Sequence, residues 1–155
     1  LLPLEAPVMR ILAIDPGWSG TGWAVTVGAE IIASGHFTPK DLVECRIILD
    51  EAYTAYNITI TIIEVPMSRE DIGSHYFGKN AVAAMKCQAI AWYLVGYFEA
   101  IGECRYVTAR EWQGNRKGGA AGEIEMILKS QGLTVKNEHE RDAIGLALWA
   151  GRRVK

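Results

Sequence analysis

The sequence predicts an α/β fold, a mixed sheet with helices on both faces, and three observations predict it. Short apolar runs at Arg10–Asp15 and residues 58–64 have the length and composition of buried strands. Thr21–Val27 and residues 31–37 flank Gly28-Ala29-Glu30, which reads as a hairpin closed by a short glycine-containing loop. Longer segments with apolar residues at helical spacing stand between and after the later strands, an arrangement that covers a sheet on both sides.

Each element has its own local reason. Ile11-Leu12-Ala13-Ile14 is apolar on successive positions, so the first strand belongs inside the sheet. After the hairpin, Thr38-Pro39 offers a helix start, with threonine as cap and proline at the first helical position. Leu42, Cys45, Ile48, Leu49, Ala52, Tyr53 and Tyr56 then recur at helical spacing. Residues 58–64 form a second central strand, ended by Pro66. Residues 67–78 are polar and aromatic, a long loop and therefore a candidate for function. A long apolar helix follows over residues 80–101, then a short strand over 105–107 and a helical turn over 108–112. Gly114-Asn115-Arg116-Lys117-Gly118-Gly119 is a flexible basic loop, and helices over 121–131 and 138–152 complete the order.

A chain of 155 residues that is half hydrophobic suits one domain with one sizeable core. Residues 9–155 are read as that domain. Leu1 to Val8 lack the basic start and apolar core of a signal peptide and read as an addition ahead of a start at Met9. The apolar stretch from Ala81 to Ile101 is broken by Lys86, Gln88 and Glu99, so no membrane span is expected. Cys45, Cys87 and Cys104 are odd in number and unpaired in spacing, which favours buried thiols in a reducing, cytoplasmic setting. The net charge of −2 conceals an asymmetry. Residues 1–100 hold six Lys/Arg against eleven Asp/Glu, whereas residues 101–155 hold ten against seven. Local positive surface of that kind permits nucleic-acid binding.

Three carboxylates stand out. Asp15 ends the first apolar run, Glu64 ends the second, and Asp142 opens the apolar stretch Ala143-Ile144-Gly145-Leu146-Ala147-Leu148. Asp-Pro-Gly is also ordinary turn chemistry, but the matching Glu64 favours a site over a turn. Acids gathered from distant parts of a chain repel one another unless protonated or bridged by hard cations such as Mg²⁺ or Mn²⁺. Such a set is what two-metal phosphodiester hydrolysis requires. His139 and Asp142 share a helix face at i, i+3, continued by Ala143, Leu146 and Ala150, so both should turn inward. Asn137 and Glu140 form a capping-box pattern, and Glu138 suits the helix dipole, so those two acids have structural explanations. Trp18, Trp23, Trp92 and Trp149 read as packing residues.

Asp15-Pro16-Gly17 with Thr21-Gly22-Trp23-Ala24-Val25, Ile62-Ile63-Glu64, Phe77-Gly78-Lys79-Asn80, and His139 three positions before Asp142 together resemble the RuvC family of Holliday junction resolvases. The resemblance spans Met9 to Arg152 in element order and implies a ribonuclease H-like fold. It further implies a Mg²⁺- or Mn²⁺-dependent endonuclease, two ions per site, that makes paired cuts in four-way DNA junctions and leaves 5′-phosphate and 3′-hydroxyl ends. Asp15 would bridge both ions, Glu64 and Asp142 would hold one each, and His139 would be an auxiliary ligand or proton carrier. A homodimer is implied, with its interface on the long helix, whose Met85, Ala89, Trp92, Val95 and Tyr97 supply apolar surface.

For DNA contact the resemblance singles out Phe77 and Lys79, and the adjoining loop adds Arg69, with aromatic stacking on unpaired bases and arginine on phosphate. Tyr76 is read as packing. The segment between Glu64 and Phe77 is longer than in the family. Where the family carries DNA-binding lysines, this sequence has Trp112, Gln113, Arg116 and Lys117, and the last two are the candidate replacements. Two other readings stand beside this one: a nuclease of the same fold acting on RNA or RNA–DNA hybrid, and a non-catalytic nucleic-acid-binding module.

Overall fold

The computed structural model describes residues 8–66, 81–114 and 120–153. β1 (Arg10–Asp15), β2 (Thr21–Val27) and β3 (Glu30–Phe37) form an antiparallel meander. α1 (Leu42–Ala55) leads to β4 (Ile60–Val65), and α2 (Ala81–Ile101) leads to β5 (Glu103–Thr108). The short α3 (Ala109–Gln113), then α4 (Ala121–Ser130) and α5 (Glu138–Arg153), follow. The sheet order is β3-β2-β1-β4-β5, with β4 parallel to both β1 and β5. This is the mixed five-stranded sheet with helices on both faces that the sequence predicts.

Strand alternation divides the interior in two. Ile11, Ala13, Ile60 and Ile62 face α4 and α5, where they pack with Ile124, Leu128, Ile144 and Leu146. Leu12, Ile14 and Ile63 face α1 and α2, where they pack with Leu49, Leu94 and Phe98. Successive side chains of a strand point to opposite faces, so β1 and β4 must be apolar on both.

Several boundaries differ from the sequence expectation. α1 starts at Leu42 because Asp41 takes the cap, accepting the Glu44 N–H at 2.8 Å; Thr38 instead bonds the Ser19 carbonyl at 3.5 Å. Its far end closes as a Schellman motif, with Ile58 N–H on Tyr53 O, Asn57 N–H on Thr54 O, and Asn57 at φ +50°. That closure occupies Ile58, so β4 begins at Ile60. Parallel pairing with β4 extends β5 to six residues. Of the thiols, Cys45 is buried, whereas Cys87 and Cys104 are half-exposed. Val95 of α2 lies fully in the core, so it offers nothing to a dimer interface; Trp92 and Tyr97 are half-buried, and Met85 and Ala89 are exposed. Among the described residues no helix is long and apolar enough to cross a membrane.

Candidate active site

The side-chain period of two places Asp15 on the same sheet face as Ile11 and Ala13, and Glu64 on the same face as Ile60 and Ile62. Parallel pairing of Ile14 with Ile63 sets the two acids next beyond, at one end of adjacent strands. The Thr21 hydroxyl pins the Asp15-Pro16-Gly17 turn, accepting from Gly17 N–H at 3.2 Å and donating to Gly17 O at 3.0 Å.

α5 delivers the remaining residues to that face. Asn137 caps it, accepting the Glu140 N–H at 3.0 Å. Two glycines let its first turn lie against the sheet. A Cβ on Gly22 would stand 2.0 Å from the His139 carbonyl oxygen, and one on Gly20 would stand 2.7 Å from His139 Cδ2. Seated there, His139 brings Nδ1 to 3.2 Å from Asp15 Oδ2. Asp142 faces the same end, one turn along, and its charge is felt at Asp15.

The capping box is only half made. Glu140 does not turn back to its cap but reaches β3, accepting from Ser34 Oγ at 2.6 Å and pairing with His36 Nδ1 at 2.8 Å. The edge strand offers it two donors, which outbid one backbone N–H. Glu138 also departs from its expected role. Beyond any service to the helix dipole, its negative charge acts on both Asp15 and Asp142.

Crowded acids raise one another's proton affinity. Burial first, then the charge of Glu64 and a hydrogen bond with it, then Asp142 and Glu138, push the Asp15 carboxyl from its ordinary 3.8 up to about 9. Burial, Glu64 and Glu138 push Asp142 up to about 6, against the opposing pull of His139 and Arg141. A cleft of about 480 Å³, lined in part by Gln113, Lys136, Glu138 and Arg141, opens onto Asp142 and gives it access to solvent.

Trp112 is the residue whose role sequence reasoning missed. Expected on the helical turn after β5 and given no site role there, it is 4% exposed, and its indole Nε1–H donates to Glu64 Oε1 at 2.5 Å. The signal was present in the sequence: Thr108 and Glu111 form a capping box that folds α3 directly back from β5. The tryptophans read as packing have protein partners, such as Trp18 Nε1–H on Lys86 O at 2.7 Å and Trp92 Nε1–H on Gln88 Oε1 at 2.7 Å. Part of the C-terminal positive charge is engaged internally, with Arg152 on Glu123 at 2.9 Å and Arg153 stacked over Trp149. Arg69, Phe77, Lys79, Arg116 and Lys117 lie outside the described residues.

Among the described residues no three His, Cys, Asp or Glu side chains are drawn into a ready-made metal cage. Asp15 and Glu64 lie close enough that the Glu64 carboxyl raises the proton affinity of Asp15. The donor chemistry nevertheless fits a hard divalent cation. Carboxylate oxygens are hard ligands, the adjacent imidazole nitrogen is a borderline one, and the mutual repulsion of the acids is relieved by positive charge.

The strand order and the flanking helices define a ribonuclease H-like fold, and the structural resemblance is to RuvC and other Holliday junction resolvases. Thermus thermophilus RuvC in complex with Holliday junction substrate matches with a TM-score of 0.66 at 16% identity, covering 94% of this chain and 94% of that one. The yeast mitochondrial Holliday junction resolvase Ydc2 matches at 0.61 and 14% identity, over 94% of this chain and 77% of that one. Fowlpox virus resolvase, solved with substrate Holliday junction DNA, matches at 0.56 and 15% identity, over 94% of this chain and 99% of that one. No protein-family profile matches the sequence, and no curated protein does.

Proposed function

We propose that this chain is a metal-dependent, structure-selective endonuclease that cuts four-way DNA junctions. The observation that carries the reading is the meeting of Asp15, Glu64, His139 and Asp142 at one sheet end, from three separate elements, in a fold shared with three resolvases. A purely structural site has no use for carboxylates gathered at the cost of burial and repulsion.

Asp15, Glu64 and Asp142 would hold Mg²⁺ or Mn²⁺, two ions per site, with His139 as an added ligand or proton carrier. Such ions supply a lowered pKa for the attacking water and neutralise charge on the leaving 3′ oxygen. The chain's own part is positional. β1 and β4 hold two carboxylates side by side, and α5 sets the third against them. His139 keeps one ring nitrogen on Asp15, leaving the other to take or give a proton near the cleft. Products would carry 5′-phosphate and 3′-hydroxyl ends.

Paired cuts call for two copies. α2 presents a stripe of exposed small and apolar residues, Val82, Met85, Ala89, Gly96 and Ala100, at helical spacing, which supports a homodimer through this helix. Phe77, Lys79, Arg69, Arg116 and Lys117 are carried into the proposal from sequence alone, as base-stacking and phosphate-holding residues at the branch.

The direct test is cleavage of a synthetic four-way junction in Mg²⁺, beside matched duplex, RNA–DNA hybrid and single-stranded substrates. Paired nicks in the junction, absent with Asp15→Asn, are expected. Preference for the hybrid would replace this reading with a ribonuclease.

A further inference from the structure

We propose that Trp112 is a positioning residue for Glu64: its indole N–H fixes the carboxylate that the catalytic site needs, and Gly145 of α5 exists to seat the ring. This rests on the nuclease reading above, since it gives the indole a role in that site.

The geometry is specific. Trp112 Nε1–H meets Glu64 Oε1 at 2.5 Å in a part-buried setting, with the indole itself 4% exposed. Indole nitrogen is a donor only, so it can orient a carboxylate without ever competing for a cation. Oε1 is thereby occupied by the indole, on a carboxylate whose charge also acts on Asp15. A glutamate at a strand end has three side-chain torsions to settle, and a fixed donor removes much of that freedom.

The ring is itself held on two sides. A Cβ on Gly145 would stand 2.9 Å from Trp112 Cζ3 and 2.4 Å from Ile124 Cδ1, so the absence of a side chain on α5 is what admits the indole. Gly145 lies three positions after Asp142, on the neighbouring turn of the same helix. Trp112 therefore spans from the helix carrying Asp142 to the strand end carrying Glu64. The Thr108–Glu111 capping box fixes α3 at the exit of β5, and Thr108 pairs with Val65, the residue after Glu64. A merely packed tryptophan would not need its nitrogen aimed at a catalytic acid.

The experiment compares wild type with Trp112→Phe, which keeps an aromatic ring and deletes the N–H. Calorimetric titration of metal-free protein with Mn²⁺ is the main readout, with thermal melts and single-turnover junction cleavage beside it. Loss of such an outer partner is expected to weaken Mn²⁺ binding about 10- to 100-fold, with cleavage falling at subsaturating metal. Gly145→Ala, which pushes the ring from its seat, should weaken binding in the same direction. A second readout needs only a folded site. The Trp112 Nε1–H resonance in ¹H–¹⁵N spectra should lie downfield, move in Glu64→Gln, and shift when Mg²⁺ is added to wild type. Wild-type Mn²⁺ affinity in Trp112→Phe, or an indole resonance indifferent to both Glu64→Gln and Mg²⁺, overturns the positioning role alone. Wild-type protein that binds neither ion overturns the nuclease reading and this proposal with it.

Discussion

His139 Nδ1 stands 3.2 Å from Asp15 Oδ2, joining the N-terminus of the last helix to the end of the first strand. The contact exists because Gly20 and Gly22 leave no Cβ between helix and sheet. Gly22→Ala would place a methyl group against the His139 carbonyl, and the helix start must shift to admit it. Overpacking of this kind is expected to cost about 1–3 kcal/mol, read by urea unfolding, together with most of the junction cleavage. Unchanged stability and rate would show that α5 is not held at this point.

Asp15→Asn replaces the crowded carboxyl with a neutral side chain of almost the same volume. Cleavage should be abolished, while the metal-free protein should melt at a higher temperature than wild type near neutral pH, because the fold no longer has to keep on residue 15 a proton that the unfolded aspartate releases. Full cleavage by this variant in Mg²⁺ would remove Asp15 from the site.

The raised carboxyls also dictate a pH dependence. Between 3.8 and about 9 the folded chain retains a proton on Asp15 that an unfolded aspartate has released, so the folded state binds more protons. Stability of the metal-free protein must then fall as pH rises through that window, and it is fully present only below it. Asp142 adds the same sign between 3.8 and about 6. The contribution is isolated as the wild-type melting temperature minus that of Asp15→Asn, measured in chelator from about pH 5 to about pH 9. That difference should decline steadily, and a rising one would contradict the shift.

Glu140 and its neighbour His139 should separate in their effects. Glu140 is committed to Ser34 and His36 on β3, so Glu140→Gln is expected to cost about 1 kcal/mol of stability and leave cutting nearly intact. His139→Ala should slow single-turnover cleavage at least tenfold (about 1.4 kcal/mol of barrier), and His139→Asp should retain much of the rate. A stable but inactive Glu140→Gln beside an active His139→Ala would mean the wrong face of α5 carries the chemistry.

A homodimer through α2 makes a prediction that does not touch the acidic cluster. Met85 is 59% exposed and Val82 is 68% exposed. Val82→Glu with Met85→Glu should shift sedimentation from dimer to monomer with the melt little changed, since neither side chain is buried in the chain itself. A monomeric wild type would instead leave this stripe without a partner copy.

Local sequence was enough for most of the fold. Consecutive apolar residues in β1 and β4 announced central strands with an acid at the end of each, but that Asp15 and Glu64 share a face was decided by the parallel pairing of Ile14 with Ile63. The i, i+3 spacing of His139 and Asp142 likewise announced a shared inward face. Such signals are readable because a helix or strand repeats every few residues and its burial pattern follows. What α5, β3 and α3 do to one another is not periodic. Glu140 left its capping box for donors on β3, Glu138 turned out to bear on Asp15 and Asp142, and Trp112, on the helical turn expected of it, reached the side of Glu64. Each of these depends on how closely two elements approach. That distance is set by glycines at 20, 22 and 145 acting on residues far away in sequence, and only the packed chain decides it.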